Sequence, residues 1–253
     1  MKKILFHILM FSLMCSIQIS TYGCENDSES NNGNPIQNNG AEQFPPSNDY
    51  KINARILGLD LGFGGISACA DVIIIKDSQL IEDAIVIVNS DTIGYEFGSY
   101  QTTLLTADNY QLTIFHDGNT IASGNAKLPS NIPEITNLDS GDIHASGSDL
   151  LVEWTSVDSI TAWQVISIKN NENDYESKLL TINTLNHIIP GENFTNGNEY
   201  NIQVNAINGL HFGDDEALGD PDVGYEIDGP SGYFIGLNQS NPITIYINEN
   251  FNN

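Results

Sequence analysis

The chain has 253 residues, with 33 Asp and Glu against 8 Lys and Arg and a formal net charge of −25. A surface so anionic repels phosphate backbones and anionic lipid, which excludes nucleic acid as a partner. The same charge serves solubility outside a cell or the binding of divalent cations, and composition leaves both open. The cysteines are Cys15, Cys24 and Cys69, too few and too scattered for a disulfide framework.

In chain order, Lys2 and Lys3 precede a mostly apolar run, Ile4 to Ile19, interrupted by His7, Ser12, Ser16 and Gln18 and followed by small or semi-polar residues to Gly23. This is the pattern of a secretory leader. It is too short and too interrupted for a span, which needs about 20 apolar residues. Thr21-Tyr22-Gly23-Cys24 resembles the lipobox of bacterial lipoproteins, with Thr21 where leucine is usual and Tyr22 bulkier than the usual small residue. The resemblance implies that residues 1–23 are removed as a lipoprotein signal peptide and that Cys24 is lipidated, giving a membrane contact through N-terminal lipid. Ordinary secretory cleavage after Gly23 would instead leave Cys24 a free thiol. Glu25, Asp27 and Glu29 resemble the export tag that sends some Bacteroidetes lipoproteins to the outer face of the outer membrane. That resemblance implies a lipid-anchored, surface-exposed protein.

Residues 24–49 are rich in Asn, Ser, Glu and Pro, with Ile36 and Phe44 the only large apolar side chains. Such a stretch buries too little surface to offset its ordering entropy, so a disordered acidic tether is expected. From Tyr50 the texture changes to short β-rich runs bounded by turn residues. Strands are expected over 71–76, 83–89, 101–105 and 110–115, and Asp117-Gly118 marks a tight turn into 120–126. Gly62-Phe63-Gly64-Gly65 reads as another turn, and Cys69 as a small core residue. Residues 50–130 are therefore expected to form one β-sandwich, and they loosely resemble Ig-like modules of bacterial surface proteins.

Pro129 to Pro133 reads as a boundary, and a second set of strands follows in residues 131–253. Leu150, Val152 and Trp154 alternate with Leu151 and Glu153, Trp163 and Val165 alternate on the next strand, and Tyr200-x-Ile202-x-Val204-x-Ala206 forms a third. These strands resemble a fibronectin type III domain. The resemblance implies that Trp154 is the central core tryptophan and that the Tyr200 hydroxyl bonds back to nearby backbone. The expected fold is all-β, two tandem β-sandwiches (Ig-like, then fibronectin type III-like) after the tether. A final strand is expected over 242–247, and the long stretch before it departs from the resemblance.

That stretch carries seven carboxylates within 214–228 and no Lys or Arg. Asp214, Asp215, Asp220, Asp222 and Asp228 are candidate oxygen ligands for calcium, which takes six to eight of them; a solvated acidic loop explains the same composition. The spacing fails the EF-hand pattern, since Gly224 stands where a third ligand is needed. Phe212, Tyr225 and Tyr233 are candidate ligand contacts that could stack on sugar faces or pack the loop onto its own sandwich. The chain carries no Gly-x-Ser-x-Gly elbow, His-Glu-x-x-His pair or P-loop lysine. The sequence therefore points to a non-enzymatic surface lipoprotein that binds a glycan or a surface protein, with Ca2+ as a conceivable cofactor. Two alternatives remain open at this point: a structural spacer or assembly component, and a small polysaccharide hydrolase using a carboxylate pair.

Overall fold

The computed structural model describes residues 50–60, 66–104, 107, 109–170, 172–209, 227–228 and 231–249. It is built from β-strands arranged as two sandwich-type units. The first contains β1 (Tyr50–Asp60), β2 (Ile66–Lys76), β3 (Gln79–Leu80), β4 (Ile85–Val88), β5 (Asp91–Glu96), β6 (Ser99–Leu104), β7 (Tyr110–His116) and β8 (Asn119–Ala126). The second contains β9 (Asp142–Ala145), β10 (Leu150–Glu153), β11 (Ala162–Lys169), β12 (Glu172–Glu176), β13 (Asn186–Ile189) and β14 (Glu199–Asn208). Three late strands follow: β15 (Ile227–Asp228), β16 (Ser231–Gln239) and β17 (Ile243–Asn248).

The boundary expected between residues 130 and 131 does not divide the strands. β16 pairs in parallel with β1, from Lys51 opposite Ser231 to Gly58 opposite Asn238. Its far end pairs antiparallel with β14, from Asn205 opposite Gln239 to Asn208 opposite Gly236. One sheet therefore runs β12-β11-β14-β16-β1-β2-β6 through both sandwiches. β15 adds to the first sandwich by pairing with β8. The long stretch before the final strand thus supplies two strands to the earlier unit.

Both principal cores lie on one face of that sheet. Ile52, Ala54 and Ile56 of β1 and Phe234 of β16 enter the first core, which is closed by Val86, Val88, Leu112, Ile114 and Ala122 of β4, β7 and β8. Tyr200, Ile202, Val204 and Ala206 of β14 enter the second, with Trp163 and Val165 of β11, and Leu150 and Val152 of β10 close it together with Trp154 just after that strand. Phe234 stands opposite Ala54 and Asn238 opposite Ala206, so the cores are neighbours along β16. The other face of β16 presents Tyr233, Ile235 and Leu237 to a third cluster with Leu57, Cys69, Ala162, Leu179 and Ile207.

The second core has the features that its resemblance implied. Trp154 and Trp163 are buried with ring centroids 5.8 Å apart. The Thr195 amide donates to the Tyr200 hydroxyl at 2.9 Å, closing the corner before β14. Residues 134–137 cover the edge of β10 through Thr136 N to Glu153 O and Thr155 N to Glu134 O, each at 2.9 Å. β14 is long enough to be shared: β16 takes its C-terminal half and β17 its N-terminal half. At the break between them Ser240 bridges to β14, its amide donating to Val204 O and its hydroxyl accepting from Val204 N, both at 2.9 Å.

The linker joining the sandwiches lies across β16 on the face that carries the two cores. The buried Asn238 amide donates to Pro129 O and Asn131 O, both at 2.9 Å. Gly236 lets the linker come this close, because a Cβ there would stand 1.8 Å from Lys127 O. At the other end of the strand Gly232 has φ +120, and a Cβ would stand 1.9 Å from Ile52 O. Gly236→Ala must therefore separate the linker from the strand. It should cost about 3 kcal/mol or more by chemical denaturation, at the upper end of overpacking effects. A variant that unfolds like the parent would mean that this crossing is not rigid.

Candidate functional site

The outer face of β14 reads Glu199, Asn201, Gln203, Asn205, Ile207: an acid, three amides and an apolar residue. It has this composition because Tyr200, Ile202, Val204 and Ala206 take the core face, and side chains alternate along a strand. Toward the middle of the molecule the amides bond to one another across strands. Asn205 Nδ2 donates to Gln164 Oε1 at 3.2 Å, and Gln239 Nε2 donates to Asn205 Oδ1 at 3.0 Å. Gln164 and Asn205 are buried there and satisfied within the fold.

At the far end the row opens to solvent. Ile245 and Ile247 of β17 enter the second core, which turns Thr244 and Tyr246 outward. Tyr246 is 45% exposed and stands in register between Glu199 of β14 and Ile143 of β9, itself 45% exposed. Two residues along, Thr244 Oγ1 donates to Asn201 Oδ1 at 2.7 Å. An accessible aromatic ring thus lies beside a carboxylate, an amide and a hydroxyl, all on paired strands rather than loops. Such a constellation offers a flat apolar surface for stacking with donors and acceptors at its edge.

The residues singled out in sequence fall differently. Asp214, Asp215, Asp220, Asp222, Phe212, Tyr225 and Cys24 lie outside the described residues. Asp228 is exposed on β15, paired with Ser123. Tyr233 is only 7% exposed and packs in the third cluster with Leu57 and Ile235, so its ring fills core rather than meeting a ligand in solvent. Among the described residues, no group of three or more His, Cys, Asp or Glu is placed to hold a metal ion. Tyr246 was overlooked in sequence. Its signal was present, because isoleucines at 243, 245 and 247 leave the residue between the last two on the opposite face.

Two other polar groups serve the fold. Arg55 and Asp71 are cross-strand partners on β1 and β2, with Arg55 Nε 2.8 Å and Nη2 2.7 Å from Asp71 Oδ2. Asp71 is 2% exposed. A slip of one residue would leave this carboxylate buried without its partner, so the pair holds the β1–β2 register. In the second sandwich, Tyr175 of β12 and His187 of β13 meet at 2.6 Å between hydroxyl and Nε2 with their rings stacked, tying the two layers at their open side.

Burial holds the His187 imidazole below its ordinary 6.5 and raises the Tyr175 hydroxyl. At neutral pH the imidazole is uncharged, and acid adds a proton to it. The folded chain takes up this proton less readily than the unfolded chain. Stability from neutral His187 is therefore complete above about 6.5 and is lost as pH falls through the lower folded value. Melting temperatures of the parent and His187→Gln, compared from neutral pH to about one unit below 6.5, should converge as acid is added. Parallel profiles would show that the histidine does not titrate in that window.

No family model matches the chain. No curated protein matches it either. Among solved structures it is similar to the fibronectin(III)-like modules of Clostridium thermocellum CbhA, at 13% identity and a TM-score of 0.27, covering 81% of this chain and 97% of that one. It is also similar to the chicken CNTN1 FN1-FN3 domains, at 12% identity and a TM-score of 0.24, covering 64% of this chain and 84% of that one.

Proposed function

We propose that the protein is a non-enzymatic binding lipoprotein of the outer membrane, displayed on the cell surface, and that it takes a glycan on the outer face of β14, β17 and β9. The exposed Tyr246 between Glu199 and Ile143 is the observation that carries this reading. Sugars present apolar C–H faces and rings of hydroxyls. Tyr246 supports the first requirement, and Glu199, Asn201 and Thr244 support the second. The site also lies beyond the end of β14 that β16 leaves free, away from Tyr50, which suits a binding site displayed outward from an anchored N-terminal segment.

A soluble form with Cys24→Ser should bind on a glycan array, and Tyr246→Ala should weaken that binding about tenfold, equivalent to about 1.4 kcal/mol. The array is run with calcium and with a chelator. Loss in chelator would bring in the carboxylates of 214–228, whereas indifference would leave them as solvated charge. Binding unchanged by Tyr246→Ala would remove this face from consideration.

A second reading, a rigid spacer or assembly component, is favoured by the strand that β16 shares between the two sandwiches. That reading calls for no glycan binding under either condition. Anchoring is tested separately. The parent should fractionate with membranes and Cys24→Ser should be released, because acyl chains on that residue would supply the attachment. Equal fractionation would overturn lipidation at Cys24.

A further inference from the structure

Three two-residue turns of the first sandwich lie at one end, the end at which β1 starts with Tyr50. They are Asp77-Ser78 between β2 and β3, Phe97-Gly98 between β5 and β6, and Asp117-Gly118 between β7 and β8. Their first residues share a left-handed backbone, with φ of +51, +52 and +52. Asp is well suited to such turns; phenylalanine, bulky and without a local hydrogen bond to offer, is not. Phe97 is also 74% exposed, so packing within the fold does not explain the ring. A strained, solvent-facing aromatic at a hairpin tip points to a contact outside the chain.

The same end carries two more exposed apolar side chains, Leu80 at 47% and Ile85 at 54%. They stand around an ordered base. Tyr100 accepts from Ala84 N at 2.8 Å and donates to Ile81 O at 3.1 Å, while Tyr95 donates to Glu82 at 3.1 Å. The start of the fold is pinned beside them. Lys76 Nζ donates to the Tyr50 hydroxyl at 3.2 Å, the hydroxyl lies 2.7 Å from His116 Nδ1, and His116 Nε2 lies 3.1 Å from Asp83.

We infer that this end of the first sandwich rests on a lipid surface, with Phe97 at headgroup depth and Leu80 exposed at the same end. The inference depends on acylation of Cys24. Only residues 25–49 would then separate the anchor from Tyr50, so the turns around Tyr50 form the end of the first sandwich attached nearest the bilayer, and contact by Phe97 would fix the orientation that the tether leaves free. The surrounding charge selects the lipid. Exposed Asp77, Glu82, Asp83, Glu96 and Asp117 outnumber Lys51 and Lys76, so this end disfavours anionic lipid and is better matched to zwitterionic headgroups.

The test uses the acylated full-length protein in phosphatidylcholine vesicles carrying a headgroup nitroxide quencher. A fluorescent label is placed through Glu96→Cys and, as a control on the second sandwich, through Leu151→Cys; Cys69 is buried and Cys24 acylated. Flotation reports anchoring, and quenching reports contact. The label at 96 should be quenched about threefold more than the label at 151, and adding Phe97→Asn should abolish the difference. Asn suits the left-handed turn, so this variant should melt no lower than the parent, which separates lost contact from lost fold. Vesicles doped with phosphatidylserine should reduce the quenching at 96. Equal quenching at the two sites in protein that floats would overturn the docking and leave the anchor standing. Protein that does not float would overturn both. Crosslinking of an unquenched label at 96 to an envelope protein would replace the lipid surface with a protein partner.

Discussion

Residues 231–239 must approach β1 closely enough to pair with it in parallel, and the rest of the architecture depends on that approach. Gly232 and Gly236 make it possible, since a side chain at either would collide with backbone. Once seated, β16 gives Phe234 to the first core, its opposite face to the third cluster, and its far end to β14. Asn238 then holds the linker across the same strand. The sandwiches are thereby joined through a shared sheet, which resists relative motion far better than a flexible linker does.

Such a construction has a kinetic side. β1 and β16 are far apart in the chain, and parallel pairing of distant segments is among the slower events in folding. Until β16 arrives, β1 presents an unpaired edge, and the linker lacks its Asn238 partner. Unpaired edges are sites of association between chains. The first sandwich is consequently not an autonomous unit in the way its sequence span suggests. The heavy negative charge of the chain opposes association during this interval.

How much of this was legible depended on which faces each strand buries. Leu150, Val152 and Trp154 were readable because only one face of β10 enters a core, and period two is the signature of that condition. Tyr200 was readable because its hydroxyl acts locally, on Thr195. β16 was hidden by its own burial. Gly232 to Asn238 are buried on both faces, so no alternation survives, and the acidic segment before them made the whole stretch look like one loop. Phe97 was hidden for a different reason. Turn rules look for Asn, Asp or Gly in a left-handed position, and a phenylalanine there breaks the rule that would have found it. Of the candidate aromatics, Tyr233 is buried in the third cluster, because β16 is covered on both faces and leaves no side of the strand for a ring to meet solvent.

The exposed aromatics gain meaning from their separation. β16 starts beside Lys51 and runs away from the Tyr50 end, and β17 continues past the end of β14 that β16 leaves free. From the level of Ser231 to that of Tyr246, extended chain spans at most about 50 Å at roughly 3.3 Å per residue. Phe97 and Tyr246 therefore occupy opposite ends of one continuous sheet rather than two parts of one patch. A shared hydrogen-bonded sheet carries orientation from one end to the other. Contact that fixes the Phe97 end would also fix the direction in which Tyr246 faces, without any element moving. A flexible tether alone would leave that direction free, so two-point attachment is the arrangement in which the stiffness of β16 has a functional consequence.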